Sequence, residues 1–176
     1  MKKLMSKVMI GLFACACACN PATPPAEAAD VDVQAGAKFY APKDFDAGVG
    51  LSAKAVFPDV YTENLELATG IEVYPTQSDK NNKDIDLVVI PVEAGYRFQI
   101  DENLSVKPVA GLDLITGSEV DPGLGAHLGA ELAVKTPVEG LDGVVGVGYQ
   151  FGNVDVDGIK HDLSGVNATA GAKYRF

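Results

Sequence analysis

From Asp30 onward, apolar and polar side chains alternate along eight successive stretches of the chain. A period of two belongs to the β-strand, in which neighbouring side chains point to opposite faces. The first stretch sets Val31, Val33, Ala35, Ala37 and Phe39 against Asp32, Gln34, Gly36 and Lys38. Val49, Leu51, Ala53, Ala55 and Phe57 make the second apolar row, Leu65, Leu67, Ile71 and Val73 the third, and Val88, Ile90, Val92, Ala94, Tyr96 and Phe98 the fourth. The other four rows lie within residues 104–114, 124–134, 145–151 and 166–176. No helical stretch intervenes, so the chain is expected to be all-β.

Strands of about ten residues joined by turns form an antiparallel up-and-down meander, and an even number of them closes into a barrel without free edges. The connections alternate in length. Residues 58–60, 101–103 and 136–143 are tight or modest, whereas 75–84, 116–123 and 153–162 are long, with a shorter loop at 41–46. Asn103 is expected in the left-handed position of a three-residue loop over 101–103. Pro91 and Pro108 fall inside strand runs, where each forfeits a ladder hydrogen bond, so a bulge is expected at both.

Alternation suits a soluble barrel with an apolar interior as well as a membrane barrel with an apolar exterior. The aromatic residues separate the two. Phe39, Tyr40, Tyr74, Tyr149 and Phe151 fall at the long-connection ends of the strands, and Phe57, Tyr61, Tyr96, Phe98, Tyr174 and Phe176 at the short-turn ends. Two girdles of this kind are what the two interfaces of a bilayer select. Charge agrees with them: Asp32, Lys38, Lys54, Glu66, Glu72, Glu93, Arg97, Lys107, Asp113, Glu131, Lys135, Lys173 and Arg175 all occupy the polar face, a near balance suited to a lumen filled by ion pairs. The excess behind the net charge of −10 is left to loops and turns, and a chain without a basic face is no candidate for nucleic acid.

Residues 1–18 read as an export signal, because Lys2, Lys3 and Lys7 accompany an apolar run shorter than the about 20 residues a spanning helix needs. Cys15, Cys17 and Cys19 all lie in or next to it, at a spacing that fits no zinc motif and leaves the folded part without a disulfide. The stretch LFAC at 12–15 resembles a lipobox, which makes Cys15 the lipidation candidate; the plainer reading is small residues around a cleavage site. Residues 19–29 form a Pro/Ala-rich spacer and 30–176 the barrel domain.

The last stretch, TAGAKYRF, places a polar residue at Thr169, a glycine at Gly171 and aromatics at Tyr174 and Phe176. It resembles the carboxy-terminal assembly signal of bacterial outer-membrane barrels. With the export signal, the eight strands and the loop asymmetry, residues 30–176 resemble a small outer-membrane barrel of the OmpA/OmpX type. The resemblance implies an eight-stranded antiparallel up-and-down transmembrane β-barrel in the bacterial outer membrane. Its partners would be the outer-membrane lipid and lipopolysaccharide, and the β-barrel assembly machinery that reads the last strand. The chain departs from the type in having no tryptophan and an alanine-rich apolar face.

No catalytic constellation and no cofactor site is expected. The lipid A deacylases carry a serine two residues after a strand histidine, but His127 is followed by Leu128 and Gly129, and it is expected to fill the lumen. His161, beside Asp162 in a loop, is expected to be solvated. Asn153, Asp155, Asp157 and Gly158 have EF-hand-like spacing, yet position twelve is Ser164 and no helices flank the loop; Asn153, Asp155 and Asp157 are thus a weak metal candidate beside a plain acidic loop. The glycines at 143, 146, 148 and 152 precede no helix, form no phosphate loop, and are expected to allow close approach in the wall. Side chains fill an eight-stranded interior, which argues against a pore.

The function expected of such a chain is that of a non-enzymatic outer-membrane barrel contributing to envelope integrity or surface interaction through acidic loops, with the ligand of those loops unknown. The alternative is a soluble or lipid-anchored, lipocalin-like periplasmic barrel that binds a small apolar ligand. Detergent-extracted protein is expected to change gel mobility on boiling, because a closed membrane barrel resists detergent until heated. Equal mobility with recovery in the soluble periplasmic fraction would favour the alternative.

Overall fold

The computed structural model describes residues 31–79 and 83–176; the expected export signal, the expected spacer and Cys15 lie outside the described residues. β1 (Asp32–Pro42), β2 (Gly48–Phe57), β3 (Leu65–Ser78) and β4 (Lys83–Tyr96) follow one another as hydrogen-bonded neighbours. The short β5 (Phe98–Gln99) continues β4 along β6 (Leu104–Gly117) in the same register. β7 (Val120–Lys135), β8 (Leu141–Val156), β9 (Ile159–Asp162) and β10 (Gly165–Arg175) complete the sheet. Its pairings are antiparallel, and β10 joins β8 on one side and β1 on the other, from Asp32↔Arg175 to Pro42↔Gly165 without a slip. The eight-stranded wall therefore closes on itself.

The outer wall is apolar. Leu51, Val92, Leu112, Leu124, Leu128 and Val147 are exposed there, while the alternate residues carry the charges inward and are buried. On β8 the outward apolar row runs over residues 141–151, about 34 Å of strand and about 26 Å along the membrane normal at about 40° of tilt, close to the about 25 Å band of a membrane barrel. Among the described residues no helix is long and apolar enough to cross a membrane. This polarity is opposite to that of a soluble barrel with an apolar interior.

Three connections expected to be loops are largely strand. β3 and β4 reach Ser78 and Lys83, β6 and β7 leave only residues 118–119 between them, and β8 runs to Val156 before turning into β9. In these extensions the alternation reverses its sense: Ile85, Leu87, Val120, Val154 and Val156 are buried inside, and Asp84, Asp86 and Asp155 face water outside. Above the lipid band the wall is a soluble sheet, so a search for apolar residues on the outward side ends each strand too early.

Neither proline makes a bulge. Pro91↔Asp113 and Pro108↔Ala130 keep register, and each proline only interrupts a ladder, between Thr69↔Val92 and Glu72↔Val89 for Pro91 and between Gly95↔Val109 and Phe98↔Val106 for Pro108. Losing one N–H opens the ladder without inserting a residue. Register shifts occur instead at Ile115/Gly117 and Asp121/Gly125, where the lipid band gives way to the extensions. Asn103 is not left-handed either. The Asp101 carboxylate accepts the N–H groups of Asn103 and Leu104 at 2.8 and 2.9 Å and closes the turn by side-chain hydrogen bonds.

The girdles are thinner than expected. Phe39, Phe151, Tyr96, Phe98, Tyr174 and Phe176 face outward, but Tyr40 and Tyr74 are buried inside and Tyr61 stands 93% exposed in the β2–β3 turn. Tyr40 and Tyr74 each follow an outward residue, and strand parity turns them in. Two residues of β6 provide a test of the wall's polarity: Leu112 is 69% exposed and Ile115 is 0% exposed. In bilayer vesicles, Leu112→Arg is expected to lower stability to urea by about 2–4 kcal/mol and Leu112→Ala by much less. Ile115→Ala is expected to cost about 2–5 kcal/mol in vesicles and detergent alike, because it opens a cavity in packed protein.

Candidate functional site: a salt-bridged lumen under an apolar cap

Each inward charge meets partners from neighbouring or facing strands. At the short-turn end, Arg175 Nη2 lies 2.7 Å from Asp142 Oδ2. Glu66 then collects three cations, with Arg97 Nη2 at 2.8 Å, Lys107 Nζ at 3.0 Å and Lys173 Nζ at 3.4 Å. Lys173 also approaches Asp32 at 3.7 Å. Lys107 bridges on to Glu131 at 2.7 Å, and Glu131 accepts a hydrogen bond from Gln34 at 3.2 Å. Further up, Lys54 lies between Glu93 at 2.9 Å and Glu72 at 3.7 Å, and Lys38 holds Glu72 at 2.8 Å. His127 places Nδ1 within hydrogen-bond distance of Asp113 Oδ1, at 2.8 Å, and Nε2 lies near Glu93 Oε2, at 3.2 Å, without the geometry of a hydrogen bond.

Glycine makes room for the longer side chains, most tightly beside two rings. A Cβ on Gly50 would lie 2.5 Å from Tyr74 Cδ1, and one on Gly111 would lie 2.6 Å from His127 Cε1. The internal voids beside Glu66 and beside His127 measure only about 10 and 30 Å³, about one water each at most. Ion pairs therefore fill the lumen. Lys135 takes no place among them: it is exposed at the mouth, opposite Asp142 in the register. Asp142 was the residue missed. It has the inward parity of β8, but the apolar row that marks this strand in the sequence begins only at Val145.

Above the charges the lumen becomes apolar. Tyr40 and Tyr74, with ring centroids 5.4 Å apart, form the boundary; the Tyr74 hydroxyl donates to Glu72 below, and the Tyr40 hydroxyl donates to the carbonyl of Leu163 above. Phe45, Ile85, Leu87, Ile115, Val154, Val156 and Leu163 pack over them as one buried cluster. His161 belongs with this cap and is not solvated. It is 0% exposed, its ring lies 5.0 Å from that of Phe45, and its Nδ1 is 3.5 Å from Ser78 Oγ. The inward parity of β9, next to outward Lys160, puts it there.

Outside the cap, Asp162 accepts the N–H of Ser164 at 2.8 Å and meets Lys43 Nζ at 3.2 Å. Hydrogen bonds from Ser164, side chain and backbone, and the contact with Lys43 pull its carboxyl down to about 2; the same contact raises Lys43. Asn153 and Asp155 lie along β8, paired with Asp162 and Lys160, and Asp157 is in the hairpin turn. Asp157 and Gly158 both take positive φ, 52° and 77°, as a two-residue hairpin turn requires. Among the described residues no group of three or more His, Cys, Asp or Glu side chains is placed to hold a metal ion. At the other end of the barrel, Thr169 and Gly171 of β10 face inward, and the Tyr174 and Phe176 rings lie outside, 4.9 Å apart.

The geometry is similar to that of several solved outer-membrane proteins. Neisserial surface protein A superposes with a TM-score of 0.64 at 17% identity, over 83% of this chain and 97% of that one. OprG of Pseudomonas aeruginosa gives 0.61 at 11% identity over 85% and 96%, and a major outer membrane protein of Thermus thermophilus gives 0.58 at 19% over 85% and 100%. No family model and no curated protein matches the sequence. Fold and wall polarity define the class: this is a small eight-stranded barrel of the outer-membrane type.

Removing the carboxylate that gathers three cations is expected to be the most damaging change in the lumen. Glu66→Ala should cost about 3–5 kcal/mol, since it strands buried charges, and Glu66→Ala with Lys173→Met should recover part of the loss. Urea titration of the vesicle-folded variants measures both.

Proposed function

We propose that this chain is a non-enzymatic outer-membrane barrel that acts as a sealed wall element, contributing to envelope integrity and presenting acidic hairpins at the cell surface. The observation that carries the reading is the double closure of its interior: a packed ion network from Arg175 to Lys38, and over it an apolar cap with Phe45 at its centre. Nothing hydrated passes an apolar constriction of that kind easily. Short turns at one end and long hairpins at the other put the hairpins outside, as in other membrane barrels. They carry Asp44, Asp46, Asp84, Asp86, Asp121 and Asp155, so contact with lipopolysaccharide phosphates is better made through bridging cations than directly. Folding by the β-barrel assembly machinery through Thr169, Gly171, Tyr174 and Phe176 belongs to the same reading.

The test is to compare cells with and without the chain, and the purified barrel in planar bilayers. The expected result is recovery in the outer-membrane fraction, increased sensitivity to detergent with chelator when the chain is deleted, and no steady conductance at neutral pH. A steady conductance would refute the sealed-wall reading. Normal detergent resistance in the deletion strain would remove the integrity role and leave the surface-interaction role.

A further inference from the structure

The rim of the barrel is uneven. β1 stops at Pro42 and β2 starts at Gly48, whereas β3 climbs to Ser78 and β9 extends the wall above β10. Residues 43–46 cross the notch. On one side, the Lys43 N–H donates to the Ser164 carbonyl and the Asp44 N–H to the Asp162 carbonyl, each at 3.2 Å, while the Asp162 N–H donates to the Asp44 carboxylate at 2.7 Å. On the other, the Asp46 N–H donates to the Gln77 carbonyl at 2.9 Å, the Asp79 N–H donates to the Asp44 carbonyl at 3.1 Å, and Phe45 bridges to Ser78. Between these ties the Phe45 side chain points down into the barrel, 2% exposed, against the ring of His161.

We propose that residues 43–46 form a lid that opens in acid, with His161 as the trigger. A neutral imidazole fits its place: the ring is sealed from water, Nδ1 faces the Ser78 hydroxyl, and Nε2 meets no hydrogen-bond partner among the described residues. A charged ring has two N–H donors and needs two acceptors, and burying it without them is costly. The ionisable groups on the elements packed around it are Tyr40 on β1, Lys43, Asp44 and the exposed Asp46 on the lid, Tyr74 on β3, which is bonded to Glu72, Asp79 past the end of β3, the exposed Asp84 and Asp86 on β4, Asp155 on β8, and Lys160 and Asp162 on β9 itself. Tyr40 is engaged with Leu163, Asp44 with the Asp162 N–H, and Asp162 with Ser164 and Lys43; Asp79, Asp155 and Lys160 are exposed. The charged ring gains acceptors by turning out to water, and that movement removes the support on which Phe45 rests.

Asp162 is not the trigger. Its carboxyl is held near 2 by Ser164 and Lys43, so what it contributes is complete above about pH 4 and is lost only as pH falls towards 2. A change between pH 7.5 and 5 therefore does not come from the Asp162 carboxyl.

The chain has no tryptophan, so Phe45→Trp makes a unique reporter of the lid. In vesicles, acrylamide quenching of the introduced indole is expected to rise several-fold between pH 7.5 and 5 and to stay flat when His161→Phe is added. Quenching that does not change with pH, or that rises equally with the second substitution in place, overturns the proposal. Should Phe45→Trp not give a heat-modifiable barrel, amide hydrogen exchange of residues 43–46 in the natural chain and in His161→Phe, corrected for intrinsic pH dependence, replaces it. Protection lost in acid only with His161 present supports the lid, and equal protection in both chains refutes it.

Discussion

The structure depends on one electrostatic requirement: a charge turned into a narrow barrel has to find its opposite there, because it has no water to retreat to. Glu66 shows how far the requirement reaches. Its cations come from Arg97, Lys107 on β6 and Lys173 on β10, so one carboxylate ties together strands far apart in the chain. Glu131 and Glu72 repeat the arrangement with Lys107, Lys54 and Lys38. Sliding one strand by a residue would move its whole charged row to the lipid side, where each cation costs about 2–4 kcal/mol at mid-depth, so the ion network and the outer apolar wall fix the same register.

That requirement ends where the lipid does. On β4 the inward row reads Glu93, Pro91, Val89, Leu87 and Ile85 towards the long hairpins and passes from charge to apolar bulk, and on β3 the inward charges end at Glu72 and give way to Tyr74 and the uncharged Thr76 and Ser78. The molecule is two barrels sharing one wall: inside-polar within the membrane and inside-apolar above it. Tyr40 and Tyr74 fit the junction because a tyrosine has an apolar body and a polar tip. The tip of Tyr74 reaches the network and the tip of Tyr40 the backbone of the cap. The register shifts at Ile115/Gly117 and Asp121/Gly125 fall at this change of solvent, where the wall no longer has to keep lipid contact on every strand.

The lower barrel was legible because lipid and ion pairing both act on period two. The outward row within residues 49–57, the inward lysines 38, 54 and 107, and the closing strand could be placed from alternation alone. The upper barrel was not. Ile85 and Leu87 have the opposite parity to Val88 and Ile90, and a single apolar row cannot describe a strand that changes solvent along its length. His161 looked like a loop residue for the same reason, and Phe45 was the one aromatic that belonged to neither girdle. A signal was present: Val154, Val156 and the pair Asp157 and Gly158 mark a hairpin, with residue 161 opposite Val154 and so facing inward.

Strand length decides where the barrel can yield. The tall side is held by long ladders between β6, β7 and β8, each broken by a single register shift, so opening it would break many backbone hydrogen bonds at once. The low side, above β1 and β2, has no ladder to extend and is closed by a four-residue segment with a handful of hydrogen bonds and one buried ring. Regions that open at low cost are those with few buried contacts and exposed ties, and the strap has both properties. Below it the paired charges hold the lumen shut independently. A released strap would therefore expose an apolar chamber to the outside without making a pore, and the wall would remain sealed while its outer surface changed character.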